Sequence, residues 1–113
     1  MRNYELYLKD ILEATDSIEK FVEGMDFEDF KSDDKTSSAV IRKFEIIGEA
    51  AKNIPDEVRR KHTSIPWKEM AGMRDKLVHF YFGIKYDLVW QTIKDVNPKI
   101  RLLILNVMEK TNW

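Results

Sequence analysis

Apolar residues recur along this chain at steps of three and four, the spacing that gathers them on one side of an α-helix. Tyr7, Ile11, Ala14, Ile18 and Phe21 form the first such stripe. Asn3 stands where an N-cap belongs, and Gly24 where a C′ residue would close the helix. Val40, Phe44, Ile47, Ala51 and Ile54 form the second, in a helix predicted from about Thr36 to Ile54 and stopped by Pro55. Gly48 lies inside it at a cost of about 1 kcal/mol relative to Ala, which predicts that another backbone passes close by. A short helix from Pro55 to His62 follows, with Pro at its first position. Ser64 is placed to cap a further helix that carries Trp67, Met70, Met73 and Leu77 on one side and ends at Gly83. Beyond Asp87, Val89, Ile93, Val96, Ile100, Leu103 and Val107 keep one phase across Pro98. That predicts a kink, or two helices end to end with Asn97 as N-cap.

No strand pattern or internal repeat interrupts this series, and 4 Gly and 3 Pro are too few for the turns of a β-sandwich or barrel. The expected fold is all-α: an up-and-down four-helix bundle with extra short helices, one domain over residues 1–113. The last helix carries Leu102, Ile104, Leu105 and Met108 off its main stripe. One bundle seam does not need that much apolar surface, so a homodimer is expected.

Composition narrows the chemistry. With no cysteine, disulfide frameworks, thiolate metal sites and thiol catalysis are excluded. No apolar run has the length of a membrane span and the N-terminus lacks a signal-peptide core, so the expectation is a soluble, cytoplasmic domain without a membrane partner. The net charge of −1 conceals a split: residues 1–34 hold 11 acids and 4 bases, residues 35–113 hold 9 acids and 15 bases. This fits either a face that attracts nucleic acid or a bundle whose charge alternates by helix. The acids between Asp26 and Asp34 lack the glycine and glutamate of a calcium loop and read as solvated residues and caps, with Phe27 and Phe30 on one short amphipathic turn. The two histidines, His62 and His79, are 17 residues apart without a matching carboxylate set, so no metal site is expected. His62 follows Arg59-Arg60-Lys61 and reads as a helix-end cation.

Met73 to Phe82 is denser. Arg74, Asp75, His79 and Tyr81 are interleaved there with apolar residues. On a helix Asp75 and His79, at i,i+4, share a face, and the carboxylate would fix the imidazole tautomer. Arg74 and His79 would stand about 140° apart on an ideal helix. They converge only if the helix end distorts or a second subunit brings its own copy. A structural ion pair on a surface helix is the other reading of the same residues.

The pattern Arg-x4-His-x-Tyr, here Arg74, His79 and Tyr81, resembles the signature of HEPN-fold ribonucleases of the HepT type. Phe44 to Pro55 resembles that family's second-helix segment, and Ile65 to Asp75 its approach to the motif. The resemblance implies a metal-independent endoribonuclease toxin of a type VII toxin–antitoxin system, with Arg74 and His79 catalytic and no cofactor; the spacing of Asp75 to His79 adds it as a supporting residue. It implies a homodimer that faces two copies of the motif, which would supply the two proton-transfer groups one chain lacks. It further implies that a minimal nucleotidyltransferase antitoxin silences the toxin by adenylylating Tyr81, with ATP as AMP donor. The chemistry agrees: attack of a 2′-hydroxyl on the adjacent phosphate needs a base near neutral pKa, an acid for the leaving oxygen and a cation for the phosphorane. The RNA would be tRNA or mRNA, the products a 2′,3′-cyclic phosphate and a 5′-hydroxyl. The alternative is a non-catalytic helical dimer that only docks a nucleotidyltransferase. A third reading, a bare dimerisation module, leaves Arg74 and Tyr81 without a role.

Overall fold

The computed structural model describes residues 4–79 and 83–110. Its elements are α1 (Tyr4–Phe21), α2 (Phe27–Ser32), α3 (Asp34–Lys52), α4 (Asp56–Lys61), α5 (Trp67–Ala71), α6 (Met73–Leu77), the two-residue strands β1 (Val78–His79) and β2 (Gly83–Ile84), α7 (Tyr86–Gln91), a π-helical segment (Thr92–Val96) and α8 (Asn97–Lys110). The chain is all-α in character, as expected. Asn3, the predicted first cap, lies outside the described residues.

The first two stripes become the two faces of one core. Ile11, Ala14 and Ile18 of α1 are buried, as are Val40, Phe44, Ile47 and Ala51 of α3, and α1 packs against both α3 and α8. The ends of the first stripe are corrected: Tyr7 is only half-buried and Phe21 is exposed, and Leu8 and Val22 are buried instead. Gly24 takes φ +78°, which lets the chain turn after α1 where a side chain would be strained. The acids that follow serve as caps. Asp26 and Asp29 form a reciprocal capping box at the start of α2, and Asp33 caps α3. The backbone N–H and then the hydroxyl of Thr36 donate to the Asp33 carboxylate and hold its pKa below the ordinary value.

The end of α3 is closed by a residue from α4. Arg59 donates from Nε to the carbonyl of Ile54 and from Nη2 to those of Ala51 and Lys52, each at 3.0 Å. The carbonyls of Lys52 and Ile54 lie at a helix end and would otherwise look to water, whereas that of Ala51 also accepts from Ile54 N–H. Arg59→Ala should therefore cost about 1–2 kcal/mol, read as a lower urea midpoint at unchanged slope; an unchanged midpoint would show that water replaces the cap without loss.

Pro55, expected at the first helical position, is instead the extended N-cap of α4. Two further expectations are corrected. The first is the helix from Ser64 to Gly83. It is cut at Gly72 into α5 and α6, and α6 stops at Leu77. Val78 takes extended angles (φ −132°, ψ 132°) and begins a strand that pairs antiparallel with Gly83–Ile84. Val78 to Phe82 is a β-branched and aromatic run, which favours extended backbone. Gly83, at φ +82°, allows the return, and Lys85 N–H closes the hairpin on Leu77 O. Ser64 is not the cap of α5; Pro66 occupies that position, without a side-chain cap bond.

The second correction concerns one of the two alternatives at Pro98, two helices end to end with Asn97 as N-cap. The helix neither breaks nor restarts there: Asn97 is helical (φ −55°, ψ −47°) rather than an N-cap. Its N–H bonds to Thr92 O, five residues back, in a π-helical turn. That wider turn precedes the proline, whose ring would otherwise press on the carbonyl of Lys94. The extra residue shifts the phase. Ile100, Ile104 and Val107 are buried while Val96 and Leu103 are only half-buried, so Ile104 belongs to the core rather than to a surplus face. Buried Asn97 donates from Nδ2 to Thr15 O and Glu19 Oε1, both at 3.1 Å, and ties this helix to α1. Among the described residues, no helix is long and apolar enough to cross a membrane.

Candidate active site

Gly48 determines how the site is assembled. A methyl group built on it would lie 3.0 Å from the carbonyl oxygen of Met70 and 3.4 Å from that of Ala71. Its missing side chain thus lets α5 lie directly on α3, as the predicted close backbone requires. The same approach brings α6 beside α3, one turn before Gly48, where Glu45 sits.

Arg74, in the first turn of α6, donates from Nε to Glu45 Oε2 at 2.8 Å, a short charge-assisted bond. The other carboxylate oxygen of Glu45 lies 3.8 Å from Nη1 of Arg42. These groups border a cleft of about 290 Å³ between α3 and α5–α6. Three bases (Arg42, Lys52, Arg74) and three acids (Glu45, Glu49, Asp75) line it, together with Gly48 and Ala71. The Arg74 side chain is 59% exposed and that of Glu45 28%, so the cation is presented to solvent by a carboxylate that is itself half-buried.

Of the four motif residues, Arg74 and Asp75 share this cleft. His79 does not line it; it is exposed on β1, paired with Gly83 across the hairpin. The helical i,i+4 geometry expected for Asp75 and His79 is absent, because α6 ends between them. Helical phase therefore no longer sets the angle between Arg74 and His79. Tyr81 lies outside the described residues. His62 stands at the C-cap of α4, the helix end where it was expected, and its backbone carbonyl accepts from Trp67 Nε1 at 3.1 Å. Among the described residues, no group of three His, Asp or Glu side chains is arranged to hold a metal ion.

Glu45 escaped the sequence reading. It is 29 residues from Arg74, and no local spacing relates them. Gly48 was the available signal, since a glycine kept within a helix marks the face that meets another backbone.

The chain matches the family model Ribonuclease HepT-like over residues 11–107. It belongs to that family. It is 52% identical over 100 residues to a protein of Thermococcus cleftensis named "Probable ribonuclease HepT", covering 88% of this chain and 91% of that one. A protein of Caldanaerobacter subterraneus subsp. tengcongensis, named as a proposed RNase, is 44% identical over 110 residues, covering 97% of this chain and 98% of its own length. Another proposed RNase, from Methanocaldococcus jannaschii, is 47% identical over 100 residues, covering 88% of this chain and 83% of that one. No solved structure matches the chain significantly. In this HepT-like chain the matched region contains α3, α5 and α6, and with them Arg74, His79 and Tyr81.

Proposed function

We propose that this chain is a metal-independent endoribonuclease, the cytoplasmic toxin of a type VII toxin–antitoxin pair. The observation that carries the reading is an exposed arginine, Arg74, anchored at its inner edge in a cleft and five residues before an exposed histidine, in a chain of a ribonuclease family. RNA, either tRNA or mRNA, is the substrate, and no cofactor takes part.

The residue chemistry supports a transesterification. A base removes the 2′-hydroxyl proton, the 2′-oxygen bonds to phosphorus, and the bond from phosphorus to the 5′-oxygen breaks as an acid protonates that oxygen. The products are a 2′,3′-cyclic phosphate and a 5′-hydroxyl. Imidazole suits either proton transfer, and guanidinium suits the charge on the pentacoordinate phosphorane. Two proton transfers call for two groups, so a homodimer with both copies of His79 at one composite site is the working assembly. Leu102, 64% exposed on α8, and Leu6, 48% exposed on α1, supply apolar surface for such an interface.

A minimal nucleotidyltransferase is the proposed antitoxin. The Tyr81 oxygen attacks the α-phosphorus of ATP, pyrophosphate leaves and the phenolic proton passes to a base, so that AMP remains on the tyrosine. The added negative charge competes with RNA phosphate for Arg74. Tyr81→Phe should stay ribonucleolytic yet escape neutralisation by the partner and ATP, whereas co-expressed wild-type chain should gain AMP mapped to Tyr81 by intact and peptide mass spectrometry. AMP on Tyr4 or Tyr86 instead, or neutralisation of Tyr81→Phe, would refute this mechanism.

A further inference from the structure

Arg74 meets Glu45 at one edge only. The bond runs from Nε, at 2.8 Å, and among the described residues neither Nη group of Arg74 has a protein partner. A guanidinium held at Nε cannot swing freely about its last torsions, yet its two Nη groups stay available as a fork for phosphate oxygens. Glu45 is in turn held in place. It projects from the middle of the 19-residue α3, is less than half as exposed as Arg74, and faces Arg42 Nη1 with its second oxygen. The close packing at Gly48 seats α5 directly on α3, and α6, which carries Arg74, follows α5 after the single residue Gly72.

We propose that Glu45 is a positioning residue for Arg74, orienting the guanidinium through Nε so that its Nη fork is ready for the phosphate of bound RNA. The inference rests on the reading of Arg74 as the phosphate-contacting cation. The arrangement orders a long side chain before substrate arrives, so that ordering cost is not met in the transition state. A carboxylate beside a phosphate site would otherwise only repel RNA, and this opposite role has the opposite sign in kinetics. Arg42 offsets that repulsion: the trio of Arg42, Glu45 and Arg74 keeps a net positive charge.

The test compares Glu45→Ala, Glu45→Gln and wild type, each checked for fold by circular dichroism. Single-turnover cleavage is measured in EDTA, and binding is measured with an RNA carrying a 2′-deoxy group at the cleavage position. Glu45→Ala should lower the cleavage rate roughly 10–100-fold while binding RNA no more weakly than wild type. Glu45→Gln, which keeps an acceptor oxygen at the same reach, should restore part of the rate. Cleavage by Glu45→Ala at or above the wild-type rate would overturn the proposal, since the carboxylate would then only oppose RNA. The Arg74 Nε–H resonance in nitrogen-15 NMR reports on the pair without any cleavage. Slowed solvent exchange that is lost in Glu45→Ala supports positioning, and exchange in wild type as fast as in free arginine overturns it. If Arg74→Ala cleaves normally, the reading of Arg74 fails, and the proposal with it; if Arg74→Ala is inactive while Glu45→Ala is not, only the positioning fails.

Discussion

RNA cleavage by the His79→Ala chain should fall by roughly 10²–10⁴-fold, the usual contribution of a positioned acid–base group. Arg74→Ala should lose roughly 10²–10³-fold, as expected for removal of one group that stabilises developing charge. Neither loss should come from unfolding. His79 is exposed on a two-residue strand, and Arg74 extends from α6 with its side chain 59% in solvent. The exposed Arg74–Glu45 pair adds little to stability, about 1 kcal/mol at most. Cells expressing the wild-type chain alone should stop growing, and cells expressing either variant should not. Toxicity that survives in both variants would remove the motif from the mechanism and leave the nucleotidyltransferase-docking module as the better reading.

The second large effect belongs to Gly48. Valine there would drive branched methyl groups into the Met70 and Ala71 carbonyls, which already stand 3.0 and 3.4 Å from the position of a first methyl. Backbone cannot yield as a flexible side chain does, so α5 must move off α3. The expected cost is about 2–3 kcal/mol, seen as a fall in Tm of roughly 10–20 °C. Cleavage should drop as well, even at temperatures where the variant is folded, because the shift separates Arg74 from Glu45. Gly48→Ala is the informative companion: its gain of about 1 kcal/mol in helix propensity partly offsets the clash, so its stability should lie between the two. A Gly48→Val chain as stable and active as wild type would show that the helices slide apart without consequence.

Much of this architecture could be read along the chain because it is written locally. The stripe of α3 recurs without a break and is buried throughout, so that face follows from spacing alone; in α1 the spacing picks out Ile11, Ala14 and Ile18 but not Leu8, because Tyr7 beside it is as apolar a candidate. Gly24 marks its turn by a positive φ that a side chain would strain, and Asp26 by a carboxylate that caps the next helix, both within a few residues. Where the reading failed, two signals competed. The apolar spacing of Trp67, Met70, Met73 and Leu77 continues a helical phase, but Gly72 interrupts the helix and the Val78-to-Phe82 run prefers extended backbone. At Pro98 the hydrophobic phase stayed visible, while the π-helical turn before it moved Ile104 inward by one position. A pattern of apolar residues carries no mark of such an insertion. The cleft divides in the same way: Arg74 and Asp75 are adjacent in sequence and stood out in the motif, whereas Glu45 meets Arg74 only through the packing of α5–α6 on α3.

The measurement that bears most directly on the central claim is the chemistry of the RNA ends. Purified chain is incubated with RNA in EDTA, beside His79→Ala, and the fragments are tested for 2′,3′-cyclic phosphate and for a 5′-hydroxyl that polynucleotide kinase can label. The expected result is both ends from the wild-type chain without any divalent ion, and neither from His79→Ala. Fragments with 5′-phosphate ends, cleavage that appears only when a metal is added, or equal cleavage by His79→Ala would contradict the account.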